Sequence, residues 1–384
     1  MRRRPRPAQD SRPVKKIHAL TTRNNPNSDS FNFPLRVHRQ LLKAFDLDVV
    51  LFFDLDESLY ECDLLFVNSK FFRPRWRERP QEVIEFLCNA RERLGSLLWF
   101  DTTDSTGTTS FQILPYVDGY YKAQVLVEKE RYLEAHYGQR LFTDFYHREY
   151  GVTDEDTSYF QVLPTGEDLP KIHNSWNSAL GNHGYGVRSL IHEKAMSYLL
   201  MRPRYTAIFT PPEKERSVEI SCRLGRGHIR NTVRFQRDRV AEVLESGYGV
   251  STDKLPKRRY WRELQDAKIV ASPFGWGEIT LRDFHAFING AALLKPDMSH
   301  LLTWPPLYVE GETYVAHGWE MLDLEERVEL LRSRRHYTEI ARNAQALYGK
   351  YLFTREGHVE FCERIKGIVE RHMASSATSP SPAA

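Results

Sequence analysis

Short apolar runs alternate with amphipathic stretches along most of the chain, the spacing expected of βαβ units around a parallel sheet. In the first half, residues 16–20, 49–53, 64–67 and 97–100 read as strands, and 33–43 and 80–94 as helices. The second of these helices repeats Val83, Phe86, Leu87 and Leu94 on one face. Residues 174–186, rich in Asn, Gly, His and Ser, predict a loop before a helix over 187–200. A second series starts near Tyr205. It predicts strands at 218–222, 247–250, 268–271, 291–295 and 313–316, and helices at 232–245, 257–264, 281–289 and 322–331. Two amphipathic helices, 336–348 and 355–372, close the pattern.

A chain of 384 residues with this double series is expected to form two domains. The fold class that follows is α/β: two Rossmann-like domains facing a cleft, with C-terminal helices. The boundary falls at the turn 201–204, giving an N-terminal domain over 14–204 and a C-terminal domain over 205–373. The Arg/Pro-rich head (1–13) and the small, polar tail (374–384) bury nothing and are expected to be disordered. The basic head reads as a solvated tail, with weak contact to an anionic membrane surface as the sharper alternative. A net charge of +3 is too mild for a nucleic-acid binder. The four cysteines (Cys62, Cys88, Cys222, Cys362) are far apart and show no metal-ligand spacing, as in a reducing compartment. No apolar run approaches the ~20 residues that span a bilayer, and no signal-type apolar segment follows the head, so a cytoplasmic protein is expected.

In open α/β sheets the loops after strands hold the ligands. The most informative is SPFGWGE at 272–278, between a strand and a helix. Gly275 and Gly277 permit close backbone approach, and Thr280 with Asp283 predicts a capped helix start, an anion-favouring terminus. Arg282, His285 and Asn289 share one polar stripe, and the next strand delivers Lys295 to the same edge. A second cluster, Arg223, Arg226 and Arg230 with Gly225 and Gly227, follows the strand at 218–222 and leads into a helix. Arginine forks match phosphate oxygens, and Arg234 and Arg237 are weaker candidates for the same role.

The run from 272 to 301, SPFGWGE…RDFHAFINGAALLKPDMSHL, resembles the C-terminal domain of GT-B glycosyltransferases, near the exostosin-like and group 1 patterns. Ala286 to Gly290 carries the Ala-x-x-x-Gly spacing of that pattern, and the likeness extends over about residues 218–320. It implies that Glu278 and the helix start face a nucleotide-sugar, with Arg282 near its phosphates. It also implies that basic residues neutralise the leaving diphosphate, so that the enzyme is metal-independent and needs no cofactor beyond its co-substrate. His285 stands where many members have an acidic residue for the ribose.

The third cluster follows the strand at 97–100: Asp101 and Asp104 within a run of threonines and serines up to Ser110. Hydroxyls and carboxylates suit sugar recognition, and one aspartate would serve as general base toward a glycan or lipid-linked acceptor. Tyr116, Asp118 and Phe145 to His147 are expected to line the same cleft. Two alternatives stand beside sugar transfer in a surface-polysaccharide type of pathway. One is a Mg²⁺-dependent phosphohydrolase or phosphotransferase using Asp54 and Asp56. The other is an inactive protein that binds carbohydrate or nucleotide.

Overall fold

The computed structural model of the protein describes residues 13–155, 162–197 and 202–376. Most of the expected disordered head and tail, and Met201 of the expected boundary turn, lie outside the described residues; residues 374–376 continue the last helix.

The first half contains β1 (Lys15–Leu20), β2 (Leu47–Phe52), β3 (Leu64–Asn68), β4 (Leu97–Asp101), β5 (Gly119–Lys122), β6 (Gln124–Leu126) and β7 (Ile172–Asn174). All but β6 form one parallel sheet in the order β2-β1-β3-β4-β5-β7. Its helices are α1 (Pro26–Val37), α2 (Arg39–Ala44), α3 (Ser69–Glu78), α4 (Pro80–Leu94), α5 (Leu141–Tyr150) and α6 (Val187–Ser197). Every residue of β3 and β4 is buried, as a parallel sheet covered on both faces requires. α4 starts on a proline at its first turn and ends on Gly95 in the left-handed conformation, and it buries Val83, Leu87 and Ala90.

The second half contains β8 (Val218–Ser221), β9 (Ala267–Ala271), β10 (Ala292–Pro296), β11 (Leu301–Thr303) and β12 (Val315–His317). Four of them make a second parallel sheet in the order β12-β10-β9-β8. It is wrapped by α7 (Asn231–Tyr248), α8 (Lys257–Leu264), α9 (Leu281–Asn289), α10 (Leu324–Arg332) and α11 (Arg334–Phe353). The final helix, α12 (Arg355–Ser376), crosses back: Arg364 donates to the Asn174 and Ser175 carbonyls, and Tyr121 of β5 meets His372 at 2.9 Å. The architecture is thus two Rossmann-like α/β halves.

Two expected elements differ. Residues 247–250 are the end of α7, not a strand: Gly249 is left-handed, and its N–H and that of Val250 return to Glu245 and Leu244. The helix expected over 33–43 is two helices that meet at His38, and the first begins earlier, where the Asn25 side chain caps it ahead of Pro26.

The halves are joined directly. β6 pairs antiparallel with β11, and one apolar cluster runs through both sheets. Tyr146 of α5 accepts from Gln236 of α7 at 2.7 Å, and Asp154 accepts the Thr232 N–H at 2.9 Å. Tightest of all is Gly277, where a Cβ would collide with the Asp104 carbonyl and the Ser105 amide across the junction.

Gly277→Ala should therefore destabilise the protein by about 1–3 kcal/mol through overpacking. Gly227→Ala, which faces open space, should stay within about 0.5 kcal/mol of wild type. Urea unfolding of the two variants in parallel checks the contrast.

Candidate active site between the two sheets

The carboxyl ends of β4 and β9 carry the loops that meet. Asp101, the last residue of β4, is buried in an ion pair with Lys122 of β5 at 3.3 Å. It also accepts from the Tyr120 hydroxyl and, at 2.9 Å, from the Thr103 amide. Burial opposes its charge, but Lys122 and these donors outweigh that and hold its pKa below the usual carboxylate range. Asp101 is thus enclosed among internal partners at the start of its loop. Asp104 differs: it is exposed, and its carboxylate is oriented by Asn27 Nδ2 at 2.5 Å. The structure separates two aspartates that the sequence leaves equal.

Glu278 is buried across the junction. It accepts from the Thr106 hydroxyl at 2.7 Å and amide at 3.1 Å, and from Gln124 Nε2 at 3.3 Å, with the His300 ring 3.7 Å away. Burial raises its pKa, yet His300 and Thr106 together pull it below the ordinary value. Both Glu278 oxygens are thus engaged by residues of the N-terminal half.

The arginines divide by partner. Arg223 is spent on Glu263, with a further bond to Ser251 at 3.1 Å, and half-exposed Arg226 is spent on Glu245. Arg230 lies 3.5 Å from Asp154 and 5.0 Å from the Trp276 ring centre, on which buried Arg140 also rests at 4.7 Å. Arg237 and Arg282 instead donate to backbone carbonyls. Arg237 reaches Gly225 at 2.9 Å and Phe274 at 3.2 Å, and Arg282 reaches Arg223 at 2.7 Å. Neither has a carboxylate within ion-pair distance among the described residues. Burial, reinforced by Arg282, lowers the Arg237 pKa to about 10. A Cβ on Gly275 would stand 3.2 Å from Arg237, so the glycine turn and this arginine share one surface. The sequence ranks Arg237 behind Arg223 and Arg226, because it does not show which arginines the acidic helices neutralise.

Lys295 is fully buried against Asp283 at 3.2 Å, and Asp283 also closes the capping box with Thr280. Lys295 is therefore part of the scaffold under α9. His285 accepts or donates to Tyr260 at 3.2 Å beside Trp261, and burial lowers its pKa to about 3, so the ring is neutral. His147 is held by the Val152 carbonyl at 2.9 Å and stacks on Tyr137, and Asp118 pairs with Arg91 at 2.8 Å. Asp56 caps a short turn through Ser58 at the sheet's edge strand. Among the described residues no group of three acidic, histidine or cysteine side chains could hold a metal.

Because the folded pKa of Glu278 lies below its ordinary value of 4.5, its charge contributes stability that is present above that value. That stability is lost as pH falls through the folded pKa. Urea unfolding from pH 7 to pH 3.5 should show a smaller loss of stability in Glu278→Gln than in wild type. Parallel curves would remove the carboxylate from the pH response.

No family model and no curated protein matches the chain. Among solved structures, it is similar to a glycosyltransferase from Rickettsia africae at 7% identity and TM-score 0.40, covering 94% of this chain and 99% of that one. A sucrose-phosphate synthase from Thermosynechococcus elongatus matches at 11% identity and TM-score 0.41, over 94% and 100%. A UDP-GlcNAc 2-epimerase from Neisseria meningitidis matches at 10% identity and TM-score 0.35, over 93% and 100%. The fold assignment rests on the two sheet orders and the contact between their carboxyl edges.

Proposed function

We propose that the protein is a metal-independent glycosyltransferase that moves a sugar from a nucleotide-sugar to a hydroxyl of a glycan or lipid-linked acceptor. The observation that carries this reading is the pair Arg237 and Arg282, two guanidinium groups held on carbonyls without a carboxylate partner among the described residues. They lie beside the glycine turn at the carboxyl end of β9, and Asp104 stands directly across the junction from that turn. Such a pair suits a diphosphate, whose oxygens accept from arginine forks.

In the proposed reaction the acceptor oxygen forms a bond to the anomeric carbon, and its proton passes to the Asp104 carboxylate. The bond from the anomeric carbon to the diphosphate oxygen breaks, and the diphosphate leaves with the electron pair. Arg237 and Arg282 stabilise that developing charge from fixed positions. Asn27 holds Asp104 toward the acceptor.

A second reading has its own support. Both oxygens of Glu278, the residue that the family resemblance set against the donor, are engaged within the protein. A chain that binds a nucleotide-sugar without transferring it would tolerate that.

A thermal-stability panel of UDP, GDP, ADP and CMP separates these readings. One nucleotide at about 100 times its Kd should add about 2.7 kcal/mol to the folded state, and the gain should vanish in Arg282→Met. In a transfer assay with the nucleotide-sugar so identified, Asp104→Asn should lower kcat by about 10²–10⁴ while nucleotide binding persists. Binding without turnover would select the second reading, and no nucleotide response would overturn both.

A further inference from the structure

The N-terminal sheet reverses direction between β1 and β3. From β1 the chain moves outward to β2, then returns to place β3 on the other side of β1. At such a point the connections leave in opposite directions and open a crevice beyond the strand ends. The register Leu20↔Val67 puts Thr21 and Asn68 side by side at its floor.

Three buried polar atoms there lack a partner among the described residues, and an unpaired lysine stands beside them. Asn68 is fully buried, and its Oδ1 accepts the Lys70 amide at 2.9 Å, the Thr102 hydroxyl at 3.2 Å and the Ser28 hydroxyl at 3.4 Å. A backbone amide can only donate, so the oxygen is fixed and Nδ2 is left as a donor. That Nδ2 has no acceptor among the described residues, and the Thr21 hydroxyl and Asn32 Oδ1 are likewise buried without a partner. Lys70, on the first turn of α3, is only 7% exposed and has neither an ion pair nor a side-chain hydrogen bond among the described residues. Asp104 and Asp101 are the opposite charges that act on its ammonium, while burial and Arg73 oppose its charge. Buried polar groups are normally paired, and three exceptions around one crevice at a helix start, with an unpaired lysine beside them, point to a ligand.

We propose that this crevice binds an oxyanion of the acceptor, a phosphate or carboxylate carried on a hydroxylated molecule such as a sugar phosphate or sugar acid. Asn68 Nδ2 and the Lys70 ammonium donate to the anion, with the amino end of α3 behind them. Asn32 Oδ1 and Thr21 take a neighbouring hydroxyl. The placement joins this crevice to the proposed base. Asn68 holds Thr102, and Asn27 holds both the Thr102 carbonyl at 2.7 Å and the Asp104 carboxylate. An acceptor anchored by its anion would present a second hydroxyl to Asp104. The inference rests on the reading that Asp104 faces the acceptor, and it adds the acceptor's charge class.

The test uses the full chain and three probes: glucose 6-phosphate, glucuronate and glucose, followed by calorimetry and thermal shift. At least one of the two anions should bind while glucose does not, and the better of them identifies phosphate or carboxylate. Lys70→Met and Thr21→Val should each weaken that anion at least tenfold. Asn68→Asp, which keeps a cap oxygen but turns the donor into an acceptor, should do the same. Arg282→Met should leave it unchanged. Urea midpoints confirm that each variant is folded. Anion binding that depends on Arg282 and not on Lys70 would overturn the proposal and leave the donor reading standing. So would the absence of anion binding in a chain that still binds a nucleoside diphosphate. Lys70-dependent anion binding without any nucleotide response would keep this site and sink the donor reading.

Discussion

A carboxylate buried between two bodies stays charged only if the groups around it replace its hydration. Glu278 meets that condition with Thr106 and Gln124 from one half and His300 from its own. A charge out of water costs several kcal/mol unless hydrogen bonds replace its hydration, which fixes the two loops against each other wherever Glu278 remains ionised. The backbone then has to pass within contact of its neighbour, and Gly277, lacking a Cβ, permits it. Asp104 is carried to its place by the same contact. The position of the proposed base therefore follows from the satisfaction of a different carboxylate.

The same reasoning sorts the arginines. Each guanidinium in a half-buried cluster needs compensation, and those facing an acidic helix residue have it: Arg223 with Glu263, Arg226 with Glu245. Arg237 and Arg282 are pinned by carbonyls, which fix orientation but leave the net charge in place. Two like charges held together in this way favour an anion between or beside them. Gly225 and Gly275 both approach Arg237, which leaves an incoming phosphate room near the backbone as well.

Much of the scaffold was legible in the sequence because it depends on local signals. The helices 80–94, 257–264 and 281–289 match in full, since each has a strong apolar face and two of them carry clear start or stop residues. The threonine-aspartate box before α9 was equally plain. What the sequence does not show depends on partners distant in the chain. Asp101 and Asp104 look alike three residues apart, and only Lys122, brought beside β4 by β5, makes one of them structural. Lys295 reads as a charge at a strand end until Asp283 closes over it. Glu278 reads as a ligand-facing residue until Thr106, 172 residues earlier, takes its oxygens. β6 and β11 escaped notice because strands of three residues have no period to detect.

The two sheets also differ in a way that bears on how labour is divided. The second runs in simple succession, β8, β9, β10 and β12, so the order of its strands opens no crevice; whatever it binds must be gripped by its loops. That is where its glycines and arginines are concentrated. The first sheet reverses beside β1, so its crevice is built into the strand order, and the groups lining it sit on strand ends and helix starts instead of on turns. On the proposed reading, the loops of the second sheet would grip the co-substrate. A crevice floored by strand ends is fixed in width, and suits selection among acceptors by the charge and hydroxyls they carry. The asymmetry between the halves is thus a consequence of strand order, present before any side chain is considered.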